Sequence, residues 1–210
     1  LALVIFFSIY TFVGKDFTPA VINEVQKDSP AMTGGLKQND VILEIDGNKV
    51  ESIMDVSKFI TMSTDEIIDF KVKRSYDELI LKIKPNVVPG VDNLGNKLNK
   101  RIVGIKLGAY NDEINHVKLG PAQAIYHAAY EVYYVGTSSL KYIGAMIFGK
   151  ADTSQLGGPI RIAKISGQVA EFGILAFISM MAYISISLGL VNLFPIPMLD
   201  GGHLMFYAFE

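Results

Sequence analysis

Asn192-Leu193-Phe194-Pro195-Ile196-Pro197-Met198-Leu199-Asp200-Gly201-Gly202-His203 follows an uncharged run that begins at Phe172. It precedes a second apolar stretch, Leu204-Met205-Phe206-Tyr207-Ala208-Phe209. One carboxylate, Asp200, therefore stands between two hydrophobic segments, beside two prolines and two glycines. A carboxylate at membrane depth costs about 2.5–3.5 kcal/mol on insertion scales, so it is retained there for a function. Prolines two apart remove backbone donors and break a helix. Irregular backbone at that depth needs cover from protein or a water-filled cavity. The stretch predicts a polar site built into a membrane, with Asp200 facing a cavity shared with neighbouring helices.

The charge pattern extends that prediction. All 19 Lys and Arg lie between Lys15 and Lys164, whereas residues 1–14 and 172–199 carry no charge. This is a polar central region flanked by membrane segments. A net charge of −2 gives no indication of nucleic-acid binding. With no cysteine, disulfides and thiolate metal ligands are excluded. The opening Leu1-Ala2-Leu3-Val4-Ile5-Phe6-Phe7 has no basic flank and is shorter than the roughly 20 residues of a spanning helix. It reads as the end of a transmembrane helix, residues 1–14, in a fragment of a longer membrane protein.

Residues 15–88 read as a compact β domain with short helices. Ala20–Val25 and Val41–Ile45 are strands, and Asp46-Gly47 is a turn. Ser29-Pro30 opens a helical turn. Ser52-x-x-Asp55 resembles a capping box, ahead of a helix that puts Ile53, Val56, Phe59 and Ile60 on one face. Ile68, Phe70 and Val72 alternate with Asp69, Lys71 and Lys73, as Leu79, Leu81 and Ile83 do with Ile80, Lys82 and Lys84. Residues 89–120 read as a connection with one short strand, Ile102–Leu107. Residues 121–171 read as amphipathic helices. The first places Ile125, Ala128, Val132, Val135, Ser139 and Tyr142 near one face. Its tyrosines suit a membrane surface, although a packed helix fits the same pattern. Residues 172–210 hold a helix long enough to span. The fold class is α+β: a small β domain followed by amphipathic and transmembrane helices.

Ser29-Pro30-Ala31…Gly35-Leu36…Asn39-Asp40-Val41-Ile42…Ile45-Asp46-Gly47 resembles a PDZ domain of the circularly permuted bacterial type. Asn39 stands where such domains usually have glycine, and Asn tolerates the left-handed backbone. The resemblance implies capture of an extended peptide by strand addition. It implies a carboxylate-binding loop near Gly14, Lys15, Asp16 and Phe17.

Gly157-Gly158-Pro159-Ile160-Arg161-Ile162-Ala163-Lys164 and Ser187-Leu188-Gly189-Leu190-Val191, running into the Asn192–His203 stretch, are similar to the site-2 protease family. More narrowly, they resemble its bacterial RseP-type regulated intramembrane zinc metalloproteases. By that resemblance Asp200 is a carboxylate ligand of Zn2+ and Asn192 a catalytic residue holding polar groups near the metal. Pro195 and Pro197 keep the segment unwound, and Gly201 and Gly202 permit close approach. The family's remaining ligands and general base come from an HExxH helix, which this sequence lacks. His116, His127 and His203 are not paired in that way, and His203 reads as part of the local turn. The resemblance thus implies a fragment inactive alone, from an enzyme that cleaves transmembrane substrates such as anti-sigma factors or signal-peptide remnants. It places the enzyme as a multi-pass protein in the bacterial inner membrane, in contact with lipid, with the PDZ domain extracytoplasmic. The alternative is a non-catalytic, membrane-anchored PDZ module that binds peptides.

Overall fold

The computed structural model describes residues 1–91, 97–109, 115–149, 159–194, 200 and 207. The described elements run α1 (Ala2–Ser8, continuing as a π-helical turn over Ile9–Val13), β1 (Lys15–Asp16), β2 (Val21–Val25), α2 (Pro30–Thr33), β3 (Val41–Ile45), β4 (Asn48–Lys49) and α3 (Ile53–Met62). They continue with β5 (Ile68–Arg74), β6 (Asp77–Ile83), β7 (Asn86–Val91), β8 (Lys97–Ile102), β9 (Ile105–Gly108), β10 (His116–Val117), α4 (Pro121–Ile147), α5 (Pro159–Glu171) and α6 (Ile174–Leu193). The architecture is α+β, as the sequence pattern predicts. One compact unit takes Lys15–Val117 with Tyr142–Leu156; the other takes Leu1–Gly14, Lys118–Lys141 and Gly157–Glu210.

The first unit is built on an antiparallel sheet of order β6-β5-β3-β2-β9, with β4 paired to β3. Period-2 alternation turns Ile68, Phe70 and Val72 inward, where each is fully buried, while Asp69 and Lys73 face water. Ile22, Ile42, Ile45, Val56 and Ile83 complete this core. Burying each such side chain contributes about 1.5–3 kcal/mol. The β5–β6 ladder runs in register from Ile68↔Ile83 to Arg74↔Asp77. Asp46 and Gly47 both have positive φ (49° and 73°), as the tight turn joining β3 to β4 requires. Asn39 has φ 67°, so it does take the left-handed backbone.

The two predicted helix starts are present. The Ser29 hydroxyl accepts from the Met32 amide, with Pro30 in the first turn. Ser52 accepts from the Asp55 amide at 3.3 Å, and Asp55 Oδ2 accepts from the Ser52 amide at 3.0 Å. Between β2 and β3, Asp40 is wholly buried. Its carboxylate accepts from Arg74 Nε and Nη2, both at 2.8 Å, and from the Lys37 amide at 2.9 Å. Arg74 Nη2 also donates to the Gly35 carbonyl at 2.7 Å, tying the loop before β3 to the end of β5.

Residues 86–120 carry more structure than the single strand expected there. β7 and β8 form a separate hairpin, and the run Ile102–Leu107 is two strands in different sheets. The chain turns at Gly104, whose φ is 85° and where a Cβ would come within 2.4 Å of Ser29 Cβ. The Val103 and Gly104 carbonyls accept from the Ala31 and Gln26 amides, both at 2.9 Å, so they leave the strand direction. Pro89 and Gly90 within β7 obscured its pattern.

In the second unit, α1 packs against α6. The Phe6 ring meets Tyr183 edge-on at 5.3 Å and stacks with Tyr10 at 6.0 Å. Among the described helices, α6 is the one long and apolar enough to cross a membrane, with mean hydropathy 2.2 over its most apolar window. The Ser187 hydroxyl donates back to the Tyr183 carbonyl at 3.1 Å. The buried face of α4 shares Ala128 and Val135 with the predicted one and otherwise differs from it. It consists of Ala124, Ala128, Glu131, Tyr134, Val135 and Ser138, whereas Ile125 is half exposed. Ala124, Ala128 and Ser138 are small, and the buried Glu131 carboxylate on that face accepts from the Tyr183 hydroxyl.

Replacing Asp40 with Ala leaves the Arg74 guanidinium without its carboxylate. We expect it to lower unfolding free energy by about 3 kcal/mol, read by hydrogen exchange of the β2, β3 and β5 amides. Asp55 gives a pH signature. Burial raises its pKa, but Lys58, the Glu51 amide and Lys15 outweigh burial and hold it below the ordinary 3.8. The unfolded chain therefore takes up the proton first. This contribution is complete above the ordinary value and is lost as pH falls through the lowered one. Asp55→Asn is expected to flatten the acid limb of stability as pH falls below about 4 in denaturant titrations.

Candidate functional site

Asn192 lies in the last turn of α6 and is exposed. The helix stops one residue later. Phe194 is extended (φ −66°, ψ 141°), and its amide reaches only the Val191 carbonyl at 3.2 Å. The cause is local: Pro195 follows, and a residue before proline is driven out of the helical region. The predicted break at the membrane helix end is thus present at Phe194. Pro195, Pro197, Gly201, Gly202 and His203 lie outside the described residues. Asp200 has helical backbone and is exposed.

An aspartate oxygen is a donor that zinc accepts, at about 2.0–2.2 Å. Among the described residues, no group of three or more His, Cys, Asp and Glu is placed to hold a metal ion. The described chain therefore offers one candidate ligand and does not by itself complete a tetrahedral set. Of the histidines, His116 is in β10, and His127 is on α4, its ring edge-on to Tyr126 at 5.4 Å.

The residues expected near a peptide carboxylate are placed as follows. Gly14 closes the N-terminal helix with φ 114°, its amide donating to the Ile9 carbonyl at 2.9 Å. Lys15 and Asp16 form β1 and pair with Val117 and His116. The Phe17 amide donates to the Asn115 carbonyl at 2.8 Å, and Lys15 Nζ pairs with Glu51.

A groove of about 210 Å³ lies elsewhere, between α3 and the segment 101–107, and none of Gly14, Lys15, Asp16 or Phe17 lines it. Val56 and Ile60 supply one wall, and Ile105 and Leu107 the other. β9 is an edge strand: β2 takes one side, and no other described strand pairs with its outer side. At one end of the groove Arg101 donates to the Ser63 and Asp65 carbonyls past the end of α3, while its buried Nε has no partner among the described groups. Burial lowers the guanidinium pKa, opposed by Asp46 and Asp65. The groove was missed in the sequence because the single-strand reading of Ile102–Leu107 hid the turn at Gly104. The positive signal available was Arg101-Ile102-Val103-Gly104, a basic residue ahead of a glycine and an apolar strand.

Comparison with known proteins bears on both regions. The sequence profile of "Peptidase family M50" matches residues 1–210. "Putative zinc metalloprotease Atu1380" of Agrobacterium fabrum is 38% identical over 210 residues, spanning 100% of this chain and 56% of that protein. "Putative zinc metalloprotease R01501" of Rhizobium meliloti is 34% identical over 210 residues, again 100% and 56%. The chain thus spans a little over half the length of these relatives. Among solved structures, the PDZ domain of the SdrC-like protein Lmo2051 from Listeria monocytogenes is 24% identical. It covers 43% of this chain and 88% of its own, with a TM-score of 0.33. The corresponding domain of Lin2157 from Listeria innocua is 23% identical, covering 45% and 99%, with a TM-score of 0.35. The match over every residue, together with end-to-end alignment to these relatives, leads to one assignment: the chain belongs to peptidase family M50.

Proposed function

We propose that this chain is the part of an intramembrane zinc metalloprotease that carries the carboxylate metal ligand and the segment beside the scissile peptide. The observation that carries the reading is the break at Phe194, which ends an apolar helix of spanning length between Asn192 and Asp200, in a chain matched throughout by the family. Asp200 contributes one anionic oxygen to the zinc; the other ligands and the general base lie in parts of the whole protein absent from this sequence. When bound, zinc supplies Lewis-acid polarisation of a carbonyl and activation of water. The Asn192 side chain holds the polar backbone of a locally unwound substrate helix by donating and accepting hydrogen bonds. Pro195 and Pro197 offer carbonyls without competing N–H donors. The substrates are transmembrane segments of other proteins. The setting is the bacterial inner membrane, with the Lys15–Val117 unit on the extracytoplasmic side.

A separate observation favours peptide capture by that unit. The open outer edge of β9 beside apolar Val56, Ile60, Ile105 and Leu107 has the form that takes up an extended peptide by strand addition. This activity serves the protease as a substrate filter, and it also stands alone in a non-catalytic tether.

In the complete protein, Asp200→Asn is expected to lose bound zinc and to cut a model transmembrane substrate more than about 100-fold more slowly. Asn192→Ala is expected to keep its zinc and lose about 100-fold in kcat. Full zinc and full cleavage in the Asp200 variant would refute the ligand assignment. For the groove, Ser57 is exposed on α3 and lines it. Ser57→Trp is expected to abolish binding of a fluorescent, valine-rich extended peptide while changing stability by less than about 0.5 kcal/mol.

A further inference from the structure

The interior of the second unit contains an acid that the proposed chemistry does not use. Glu131 is only 6% exposed, on the α4 face formed by Ala124, Ala128, Val135 and Ser138. Glutamate is rarely buried unless paired. Here the Tyr183 hydroxyl of α6 donates to Glu131 Oε1 at 2.9 Å. The Tyr183 ring is also met edge-on by Phe6 of α1 at 5.3 Å. Tyr183 therefore has a polar partner on one helix and an aromatic partner on another.

The remainder of α6 gives this geometry a consequence. Ala182 and Ile186 are the buried residues of the helix, and they lie to one side of Tyr183, which is itself 38% exposed. Apolar contacts of this kind tolerate rotation about the helix axis, because neighbouring apolar side chains substitute for one another. A directional hydrogen bond to a fixed acceptor does not. Asn192 follows Tyr183 by nine positions, which at about 100° per residue puts it about 180° around the helix. It is exposed there.

We propose that Glu131 and Tyr183 are a positioning pair that sets the rotation of α6, so that Asn192 faces away from α1 and α4 and toward the reacting peptide. The catalytic part of this inference rests on the protease reading; the rotational part does not. Loss of either partner frees the helix to turn without dissociating it. Gln at position 131 keeps an acceptor oxygen and preserves the pair, whereas Leu removes it.

The test uses the complete protein in a background without other cysteines; this chain contains none. Spin labels on Ile125→Cys of α4 and Asn192→Cys of α6 report the rotation as an electron–electron distance distribution. Tyr183→Phe and Glu131→Leu are each expected to broaden that distribution at least twofold, and Glu131→Gln to leave it narrow. With Asn192 intact, the first two variants are expected to lower kcat about tenfold with zinc content and KM unchanged, and their combination to be no worse than either alone. An unchanged distribution in Tyr183→Phe, or Glu131→Gln as damaging as Glu131→Leu, overturns the proposal. If the unmodified protein cuts no transmembrane substrate, the protease reading fails while the distance measurement still decides the rotational role.

Discussion

The proline after Phe194 drives that residue out of the helical region, and this constraint ends the long apolar helix α6. For twenty residues α6 satisfies its own backbone, which an apolar helix must do to cross a membrane. At Phe194 the ladder ends, with Asn192 just inside the break and Asp200 beyond it. Two polar side chains thereby flank, in sequence, the point where the apolar helix stops.

The Lys15–Val117 unit solves a different problem. Its small core would be marginal on hydrophobic burial alone, and two polar arrangements restrain it. The buried Asp40–Arg74 pair joins the loop before β3 to the end of β5. The Ser52–Asp55 box fixes the start of α3, and Arg101 ties its far end through the Ser63 and Asp65 carbonyls. One wall of the groove is therefore held at both ends, while the opposite wall is a strand whose outer edge pairs with no other described strand. A helix facing a strand edge is the arrangement on which the proposed peptide capture rests.

Within the helical unit, aromatic and hydroxyl groups on Phe6, Tyr10 and Tyr183 replace the nonspecific packing expected of apolar helices. In lipid, hydrophobic burial does not drive helices together, so directional contacts define how they meet. Glu131 is the clearest instance. Read as a sequence, α4 placed Ile125, Ala128, Val132, Val135, Ser139 and Tyr142 near one face; in the structure Ala128 and Val135 are buried, and Ala124, Glu131, Tyr134 and Ser138 join them in place of the rest.

Periodicity and local chemistry were enough to read Ser29-Pro30, Ser52-x-x-Asp55, Asp46-Gly47, the alternation in β5 and β6, and the length of α6, because each depends on residues within a few positions of one another. The Asn192–Asp200 motif was legible for the same reason, as was its placement at a helix end before Pro195. Three features depended on contacts distant in sequence. Ser29 packed against Gly104 splits the Ile102–Leu107 run into two strands and opens the groove. Arg74 reaches back to Asp40 across the sheet. Tyr183 finds Glu131 from another helix and so selects which face of α4 is buried. Sequence pattern shows which side chains prefer to avoid water, but not which distant partner makes a buried polar group affordable, and that partner is supplied only by tertiary structure.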